Sequence, residues 1–356
     1  MRFAVDTGGT FTDLVMEDDK GVLHMFKAAT TPDDPVQGIL DVVSAAAESF
    51  SLSIQELLSR GDLFIHGTTH AINAIITGNT ARTAFLTTKG HPDVLVLREG
   101  GRIEPFNFLA PFPKPYIPRA LTFEVPERIA SDGKVVQPLD KAETLSIIES
   151  LKKLEVESVG VCLLWSTVNS AHENCIAELL EKHLPGVPYT LSHILNPILR
   201  EYRRASSACI DASLKPLMNR YLGGLSDRLS RAGFSGRLLM LTSQGGVMDV
   251  RDLIDAPIHA IGSGPSMAPI AGRHFAQADA KTKTAIVADT GGTTYDVSLV
   301  RRGTIPMTPE TWIGQRYRGH IVGFPSVDVK SIGAGGGSLA WVDDGGLLHV
   351  GPESAG

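Results

Sequence analysis

One eight-residue motif occurs twice in this chain of 356 residues, once at the N-terminus and again far along the sequence. The two copies are Asp6-Thr7-Gly8-Gly9-Thr10-Phe11-Thr12-Asp13 and Asp289-Thr290-Gly291-Gly292-Thr293-Thr294-Tyr295-Asp296. Each copy follows an apolar strand candidate and leads into another, which is typical of a β-hairpin. The separation is too long for a solenoid, whose repeats recur every few tens of residues. The repeat therefore predicts two related lobes that each offer one loop to the same ligand.

The residue types in the motif indicate phosphate binding. Adjacent glycines allow a tight turn and a close approach of the ligand to the backbone, where consecutive N–H groups and threonine hydroxyls bind an anion. An aspartate at the end of the preceding strand can hold hydrated Mg²⁺ against phosphate oxygens. A single copy is also compatible with an ordinary Gly-Gly turn stabilised by Thr and Asp. Two copies with the same flanking acids favour the phosphate site.

The repeated motif supplies most of the predicted site. Asp6 and Asp289 are the predicted catalytic and metal-holding carboxylates, whereas Asp13 and Asp296 are expected to order the loops or the waters on the metal. The residues predicted to contact a nucleotide in the two copies are Thr7, Gly8, Gly9, Thr10, Thr12, Asp13, Thr290, Gly291, Gly292, Thr293, Thr294 and Asp296.

A second candidate corner lies where an apolar strand pattern ends in a His-Gly-Thr-Thr sequence at residues 66–69. A helical pattern follows, and the free N–H groups at a helix start favour an anion. The functional interpretation makes Thr68, Thr69 and Asn73 substrate contacts and places His66 in the cleft as a catalytic group. The alternative is that a threonine caps the helix and that His66 is a satisfied strand-end histidine.

Two further glycine-rich segments are candidates for lining a nucleotide cleft. Residues 260–265 form a turn around Gly264 that leads into a predicted helix. Residues 333–337 contain four glycines in five positions, which leaves room for a flat base or a phosphate. The predicted contacts in this second segment are Gly335, Gly336 and Gly337. Ordinary turn chemistry is the alternative for both segments.

A segment rich in proline and aromatic residues covers residues 105–126. Proline excludes a regular helix or a central strand there. We expect an ordered loop that covers the substrate, contacts a partner or only buries its own aromatic residues. The polar stretch before it contains Arg98 and Arg102, which are candidate contacts for an anionic group of the substrate.

The composition describes a soluble globular protein, with 43% hydrophobic residues, 20% charged residues and a net charge of −6. The acidic balance and the lack of a basic run argue against nucleic acid as a partner. No apolar run reaches transmembrane length, and the chain begins directly with a strand candidate, so we expect neither a membrane span nor a signal peptide. Three cysteines without paired spacing indicate reduced thiols and a cytoplasmic location.

Together, these motifs resemble the A-type subunits of ATP-dependent hydantoinases and 5-oxoprolinases, within the actin, Hsp70 and sugar-kinase superfamily. The resemblance runs almost end to end and also rests on Thr87-Thr88-Lys89-Gly90, Phe123-Glu124-Val125-Pro126-Glu127-Arg128 and Arg200-Glu201-Tyr202. It implies a two-lobed, duplicated α/β fold of the ribonuclease H-like type with ATP in the cleft. The chain departs from the family at His70, where a small apolar residue is usual, so no role is carried over to that histidine.

The resemblance also implies a division of the chain. We expect an N-terminal lobe over residues 1–196, a connector of two helices over residues 197–236, and a second lobe over residues 237–356. Related chains run well beyond residue 356, so the second lobe is expected to be incomplete, as in a fragment or a split subunit.

The activity implied by the resemblance is ATP-dependent hydrolysis of a cyclic amide or imide such as a hydantoin, 5-oxoproline or a lactam. ATP and Mg²⁺ would phosphorylate the carbonyl oxygen, and a B-type subunit or domain would complete the hydrolysis within a homo- or hetero-oligomer. Two alternatives stay open. Related carboxylases use the same module on acetone or acetophenone, and other ATPases of the superfamily use the nucleotide to move their lobes.

Overall fold

The computed structural model describes residues 1–8, 11–31, 34–99, 104, 106–292 and 294–355. Within these ranges the strands are β1 (Arg2–Thr7), β2 (Phe11–Glu17), β3 (Leu23–Ala29), β4 (Leu63–Thr68), β5 (Thr83–Thr88), β6 (Thr122–Val125), β7 (Arg128–Ile129), β8 (Val135–Gln137), β9 (Ser158–Cys162), β10 (Tyr189–Leu191), β11 (Arg237–Leu241), β12 (Val247–Asp249), β13 (Ala285–Thr290), β14 (Tyr295–Val300), β15 (Met307–Thr308), β16 (Trp312–Ile313), β17 (His320–Ile321), β18 (Ser326–Val327), β19 (Val329–Ile332), β20 (Ser338–Val342) and β21 (Leu348–Ser354). The α-helices are α1 (Pro35–Ser49), α2 (Ile54–Ser59), α3 (His70–Thr77), α4 (Val94–Leu97), α5 (Lys141–Lys153), α6 (Ala171–His183), α7 (Ser192–Leu195), α8 (Glu201–Arg231), α9 (Val250–Asp255) and α10 (Ser263–Ala278). The predicted contacts that lie outside the described residues are Gly9, Thr10, Arg102 and Thr293.

The first sheet carries the first copy of the motif and has the strand order β12-β11-β4-β1-β2-β3. β1 lies at its centre, antiparallel to β2 and parallel to β4. Side chains alternate between the two faces of a strand, so Phe3, Val5 and Thr7 are buried whereas Asp6 is on the open face. Residues from α1 and α8 close the main hydrophobic core on the buried face.

The strand β11, which the sequence analysis places at the start of the second lobe, pairs with the first sheet. It runs parallel to β4, with Arg237 opposite Leu63. The turn before it is pressed against the start of β4, because a Cβ atom on Gly236 would lie 2.6 Å from the carbonyl carbon of Asp62. The Arg237 N–H then donates to Asp62 O over 3.0 Å. The sheet that carries the second motif begins only at β13.

The two helices predicted over residues 197–235 form a single helix, α8. Pro216 lies inside it and removes one backbone donor. Much of α8 is buried, on one side against the first sheet and on the other against the strands β5 and β9. This tertiary packing outweighs the local preference for a break at Pro216. No helix in the described part of the chain is both long and apolar enough to cross a membrane.

The second sheet is parallel throughout and has the order β10-β9-β5-β6. Its central strands β5 and β9 are buried along their whole length, as expected for strands covered on both faces. Apolar residues of α5 and α6 contribute to the core on one face. The segment over residues 122–125 is an edge strand here, which agrees with the prediction that the proline-rich stretch supplies no central strand.

The third sheet contains the second copy of the motif. Its strands β13, β14 and β19 are antiparallel neighbours. Helix α10 packs on β13, and a Cβ atom on Gly272 of this helix would lie 2.3 Å from the Val287 side chain. The helix and the sheet are therefore in close contact directly behind the second motif.

Candidate active site

The two copies of the motif fold into the same hairpin. The aspartates at its ends are directly opposite in each ladder: Asp6 with Asp13, and Asp289 with Asp296. A backbone hydrogen bond closes each turn: from Gly8 N to Phe11 O over 3.0 Å, and from Gly291 N to Thr294 O over 2.9 Å. Because these glycine N–H groups are used within the turns, donors for an anion must come from the rest of each loop.

An electrostatic interaction links the two hairpins through their first aspartates. The pKa of Asp6 is raised, first by desolvation in the recess where its carboxylate lies, then by the negative charge of Asp13 and then by that of Asp289. Since Asp289 belongs to the other hairpin, this repulsion acts between the two copies of the motif. The arrangement gathers negative charge at one place, where a cation would relieve it.

The carboxylates fit a hydrated metal ion better than a directly liganded one. The described residues contain no group of three or more histidine, cysteine, aspartate or glutamate side chains arranged to hold a metal. Mg²⁺ keeps several waters and uses only one or two carboxylates. Asp6 and Asp289 therefore fit an ion that shares its remaining ligands with water and phosphate. Such an ion would neutralise the charges of Asp13 and Asp289, which add to desolvation in raising the pKa of Asp6.

A chain of hydroxyl groups fixes the first hairpin from its inner side. Thr12 is fully buried, and its Oγ1 lies 3.1 Å from Thr30 Oγ1, which donates to Gly8 O over 3.0 Å. A direct contact between Thr12 and a nucleotide is not supported, because strand alternation turns its hydroxyl inwards. On the open face, Asp13 forms an ion pair with Lys27 at 3.1 Å. Thr12 and Asp13 thus both order the loop.

The glycine-rich segment packs on the second hairpin. Gly336 N donates to Gly291 O over 2.9 Å, and Gly337 N donates to Gly292 O over 2.7 Å. A Cβ atom on Gly335 would lie 2.7 Å from Gly291 O. The lack of side chains is therefore needed for the approach of two backbones. Room for a base or a phosphate was the reason expected from the sequence, and an adenosine contact at this segment stays a prediction.

Two contacts fix the surroundings of the second hairpin. Asp296 accepts a hydrogen bond from Ser331 Oγ, which ties the hairpin to β19. At the start of α10, Ser263 Oγ donates to Thr68 O over 3.4 Å, so this helix touches the end of β4. Gly264 follows in the first turn of α10, beside the junction of the two lobes, and its contact with a nucleotide stays a prediction.

A cavity of about 180 Å³ lies beside the first hairpin, at the carboxyl ends of β1 and β4. The strand order reverses between these two parallel strands, and open α/β sheets bind ligands at such a point. The cavity is lined by Thr7, Gly8, Thr30, Pro35, Thr68, Thr69, His70 and Asn73. It brings the predicted substrate contacts on β4 and α3 together with Thr7 and Gly8 of the first hairpin.

His66 lies beneath this cavity. Its buried ring has Nδ1 3.1 Å from Val5 O and Nε2 2.6 Å from Tyr221 Oη. Burial lowers the pKa of His66 to about 4, so the ring is neutral at neutral pH. The prediction that His66 faces the cleft as a catalytic group is not supported, because alternation along β4 places it on the inner face with Phe64 and Thr68.

Two residues near the cavity carry no predicted role in the sequence analysis. His70 lines the cavity, and its ring packs on that of Tyr221 with the centroids 4.8 Å apart. Tyr221 comes from α8, and burial raises its pKa to about 12. A signal for His70 was available, since a histidine replaces a usually small apolar residue. Tyr221 carries no such signal, because an aromatic residue inside a buried helix is normally part of the core.

The side chain of Arg98 donates hydrogen bonds to backbone carbonyl groups. Its guanidinium donates to Tyr317 O over 3.0 Å, to Lys114 O over 3.1 Å and also to Gly319 O. These bonds connect the proline-rich segment to the loop over residues 314–319. The Nε of Arg98 is buried without a hydrogen-bond partner among the described residues, and a contact of Arg98 with a substrate anion stays a prediction.

Comparison with known proteins adds to this geometry. Residues 2–184 match the hydantoinase/oxoprolinase N-terminal region, and residues 204–356 match the hydantoinase/oxoprolinase domain. The chain is 34% identical to caprolactamase subunit alpha of Pseudomonas jessenii, over 100% of this chain and 51% of that protein. It is also 34% identical to the acetophenone carboxylase gamma subunit of Aromatoleum aromaticum, over 99% of this chain and 49% of that protein. The chain thus spans about half the length of these curated relatives.

The fold is similar to that of a solved relative. The crystal structure of ATP-dependent caprolactamase from Pseudomonas jessenii superposes with a TM-score of 0.87 at 33% identity, covering 100% of this chain and 51% of that chain. The mixed α/β architecture expected from the sequence is thereby confirmed.

Proposed function

This chain belongs to the hydantoinase/oxoprolinase family, and from that membership we propose that it is the ATP-using part of an enzyme that hydrolyses a cyclic amide. The observation that carries the proposal is the repulsion between Asp6 and Asp289, which supports one site shared by the two hairpins because a carboxylate of each lies close enough to act on the other. The relative that acts on caprolactam supports a cyclic amide as the substrate class.

The proposed reaction overcomes the low electrophilicity of an amide carbonyl. The ring carbonyl oxygen attacks the γ-phosphorus of ATP, ADP leaves, and the amide becomes an O-phosphorylated imidate. Water adds to the activated carbon and the ring C–N bond breaks as the nitrogen takes up a proton. The resulting acyl phosphate is hydrolysed by a second water, which releases phosphate and the open-chain acid.

In this proposal the residues of the chain position the reactants. Asp6 and Asp289 would hold Mg²⁺, and the bound ion would neutralise charge on the transferred phosphoryl group. The loops that begin at Thr7 and Thr290 position the phosphates. Residues of the cavity, with Asn73 among them, position the ring next to the first hairpin, and orientation of this kind lowers the barrier of a reaction between two bound molecules.

The complete enzyme is proposed to contain further parts. The matched relatives are named as a subunit alpha and a subunit gamma, which supports assembly with other subunits. We assign the completion of hydrolysis to a B-type subunit or domain, in a cytoplasmic homo- or hetero-oligomer.

The test is ATP turnover by the complete protein with its partner subunit, measured with hydantoin, 5-oxoproline, caprolactam and acetophenone in separate reactions. We expect at least one cyclic amide to stimulate turnover and to yield ring-opened product together with ADP. Stimulation by the ketone, dependent on bicarbonate, would instead establish a carboxylase. That second candidate is favoured by the 34% identity to the acetophenone carboxylase subunit. Turnover that responds only to a protein partner would indicate an ATPase that moves its lobes.

A further inference from the structure

We propose that the cavity between β1, β4 and α3 binds an uncharged cyclic amide or imide and discriminates against ring substrates that carry a carboxylate. The inference rests on the proposed function and specifies its substrate class. It follows from the chemistry of the lining residues, the size of the cavity and the charge around it.

The cavity offers polar groups without charge. None of the lining residues that the structure describes is lysine, arginine, aspartate or glutamate. The one titratable side chain in the lining is His70, and burial lowers its pKa, which keeps the ring neutral at neutral pH. A substrate carboxylate would therefore enter without a cationic partner, and an unpaired charge in such a recess is costly.

The unused hydrogen-bonding groups match those of an amide. Thr7 is 5% exposed, and its Oγ1 makes no hydrogen bond of normal geometry to any described residue. Its hydroxyl lies near that of Tyr221, an interaction that lowers the pKa of Tyr221 against the larger, opposite effect of burial. A hydroxyl has one donor and two acceptor sites, so Thr7 can pair with a ligand as well as with Tyr221. An amide offers a carbonyl acceptor and an N–H donor, and a hydroxyl can pair with either.

The residues at the start of α3, which line another side of the cavity, also offer hydrogen-bonding groups that match an amide. Asn73 Nδ2 donates to Thr69 Oγ1 over 3.2 Å, which leaves the Thr69 hydroxyl hydrogen and the Asn73 carbonyl oxygen to serve a ligand. The His70 ring stacks on Tyr221, and the structure gives its ring nitrogens no hydrogen bond to a described residue. One neutral imidazole supplies a donor and an acceptor. The cavity can thus hold both sides of an amide group.

The volume of the cavity and the negative charge around it further restrict the kind of ligand that can bind. The volume is about 180 Å³, slightly above the roughly 150 Å³ cavity that accommodates benzene in a protein interior. A ring of about five to seven atoms with one or two oxygens therefore fits. Asp6 directly precedes the lining residue Thr7 and interacts with the negative charges of Asp13 and Asp289, and negative charge near the cavity adds to the penalty for an anionic ring.

The decisive comparison uses two ligands with the same five-membered lactam ring, 2-pyrrolidinone and 5-oxoproline, which differ only in the carboxylate. Calorimetric binding to the complete protein with its partner subunit is measured with and without a non-hydrolysable ATP analogue, alongside ATP turnover. We expect 2-pyrrolidinone to bind at least about tenfold more tightly than 5-oxoproline. Equal or tighter binding of 5-oxoproline, or no binding of the neutral lactam, would overturn the inference.

A pair of variants assigns the preference to this cavity. H70R places a cation in the lining and is expected to bring the ratio of the two affinities close to one or to invert it. V136R introduces the same cation at a residue of β8 outside the cavity lining, where Val136 is 66% exposed, and should leave the ratio unchanged. A ratio that H70R does not move would overturn the assignment. If the neutral lactam binds through His70 but never stimulates ATP turnover, the proposed function fails while the binding preference stands.

Discussion

The carboxylate of Asp6 lies against the α-carbon of Gly67, its direct neighbour on the adjacent parallel strand. A Cβ atom on Gly67 would come within 3.0 Å of Asp6 Oδ1 and within 2.9 Å of the Leu241 side chain. The position of the proposed metal-holding carboxylate is thus set by the absence of a side chain on β4.

Replacing Gly67 with alanine should therefore displace Asp6. We expect G67A to lower ATP turnover on the order of 100-fold, because small displacements of a positioning group cost that much. The free energy of unfolding should fall by about 1–3 kcal/mol from the added crowding. G224A is the matched control, since a Cβ atom there meets nothing within 4 Å inside α8. If G67A keeps wild-type turnover, Asp6 is not held by this contact.

Removing the charge of Asp6 separates metal binding from stability. D6N should lower ATP turnover on the order of 100- to 1000-fold, by analogy with the loss of one charge-stabilising group at a reacting centre. It should leave thermal stability without nucleotide unchanged or slightly higher, because Asp13 and Asp289 no longer repel a charged neighbour. Wild-type protein should gain stability on addition of Mg²⁺ and ATP, by mass action, and D6N should not.

The control for this substitution is D41N, on the exposed side of α1. It removes one negative charge far from the hairpins and should retain both turnover and the stabilisation by Mg²⁺ and ATP. A D6N protein that hydrolyses ATP normally would exclude the proposed metal role of Asp6.

Substitutions of neighbouring glycines test whether the close backbone packing of the glycine-rich segment on the second hairpin is needed for ATP binding. G335A should weaken ATP affinity by about tenfold or more, since its Cβ would lie 2.7 Å from Gly291 O and push the segment off the hairpin. G336A is the control one residue away, because its Cβ would lie at an ordinary 3.7 Å from the same oxygen. The measurement is KM for ATP. Equal effects of the two substitutions would show that close backbone packing is not the reason for glycine at position 335.

The parts of the site that follow from short-range chemistry were predictable from the sequence. A Gly-Gly pair between two strand patterns specifies a hairpin, and both hairpins form with the repeated aspartates opposite each other. The start of α3 after Thr69 was likewise readable from its Gly-Thr-Thr sequence. In these cases the residues that fix the geometry are neighbours along the chain.

Local sequence patterns do not predict the features that depend on contacts between distant residues. Whether His66 faces the cleft or the core depends on the phase of β4, which is set by its pairing with β1 and by the approach of Tyr221 from α8. The pairing of β11 with β4 depends on the close turn at Gly236. A local pattern contains none of these long-range contacts, so the strand was found but its place in the first sheet was not.

The buried His66 should make stability depend on pH. Its pKa is about 4 in the folded protein because burial disfavours the charged ring, whereas an unfolded chain has a pKa near 6.5. At a pH between these two pKa values, His66 binds a proton in the unfolded state but not in the folded state. The free energy of unfolding therefore falls as pH falls from about 6.5 to about 4. The contribution of His66 over this window is about 3 kcal/mol, and it levels off below it.

Because other histidines also titrate, the contribution of His66 is measured as the difference in pH dependence of stability between wild type and a variant without this histidine. H66Q removes the titrating ring and is expected to be less stable than wild type at pH 7, because the bond between His66 and Tyr221 is lost. The gap between the two proteins should shrink as pH falls towards 4. H274Q replaces an exposed histidine of α10 and should keep the wild-type slope. Urea denaturation at pH values from 7 to 4 measures the three slopes. A constant gap between H66Q and wild type would mean that His66 accepts a proton in the folded protein and that its environment is less apolar than the structure indicates.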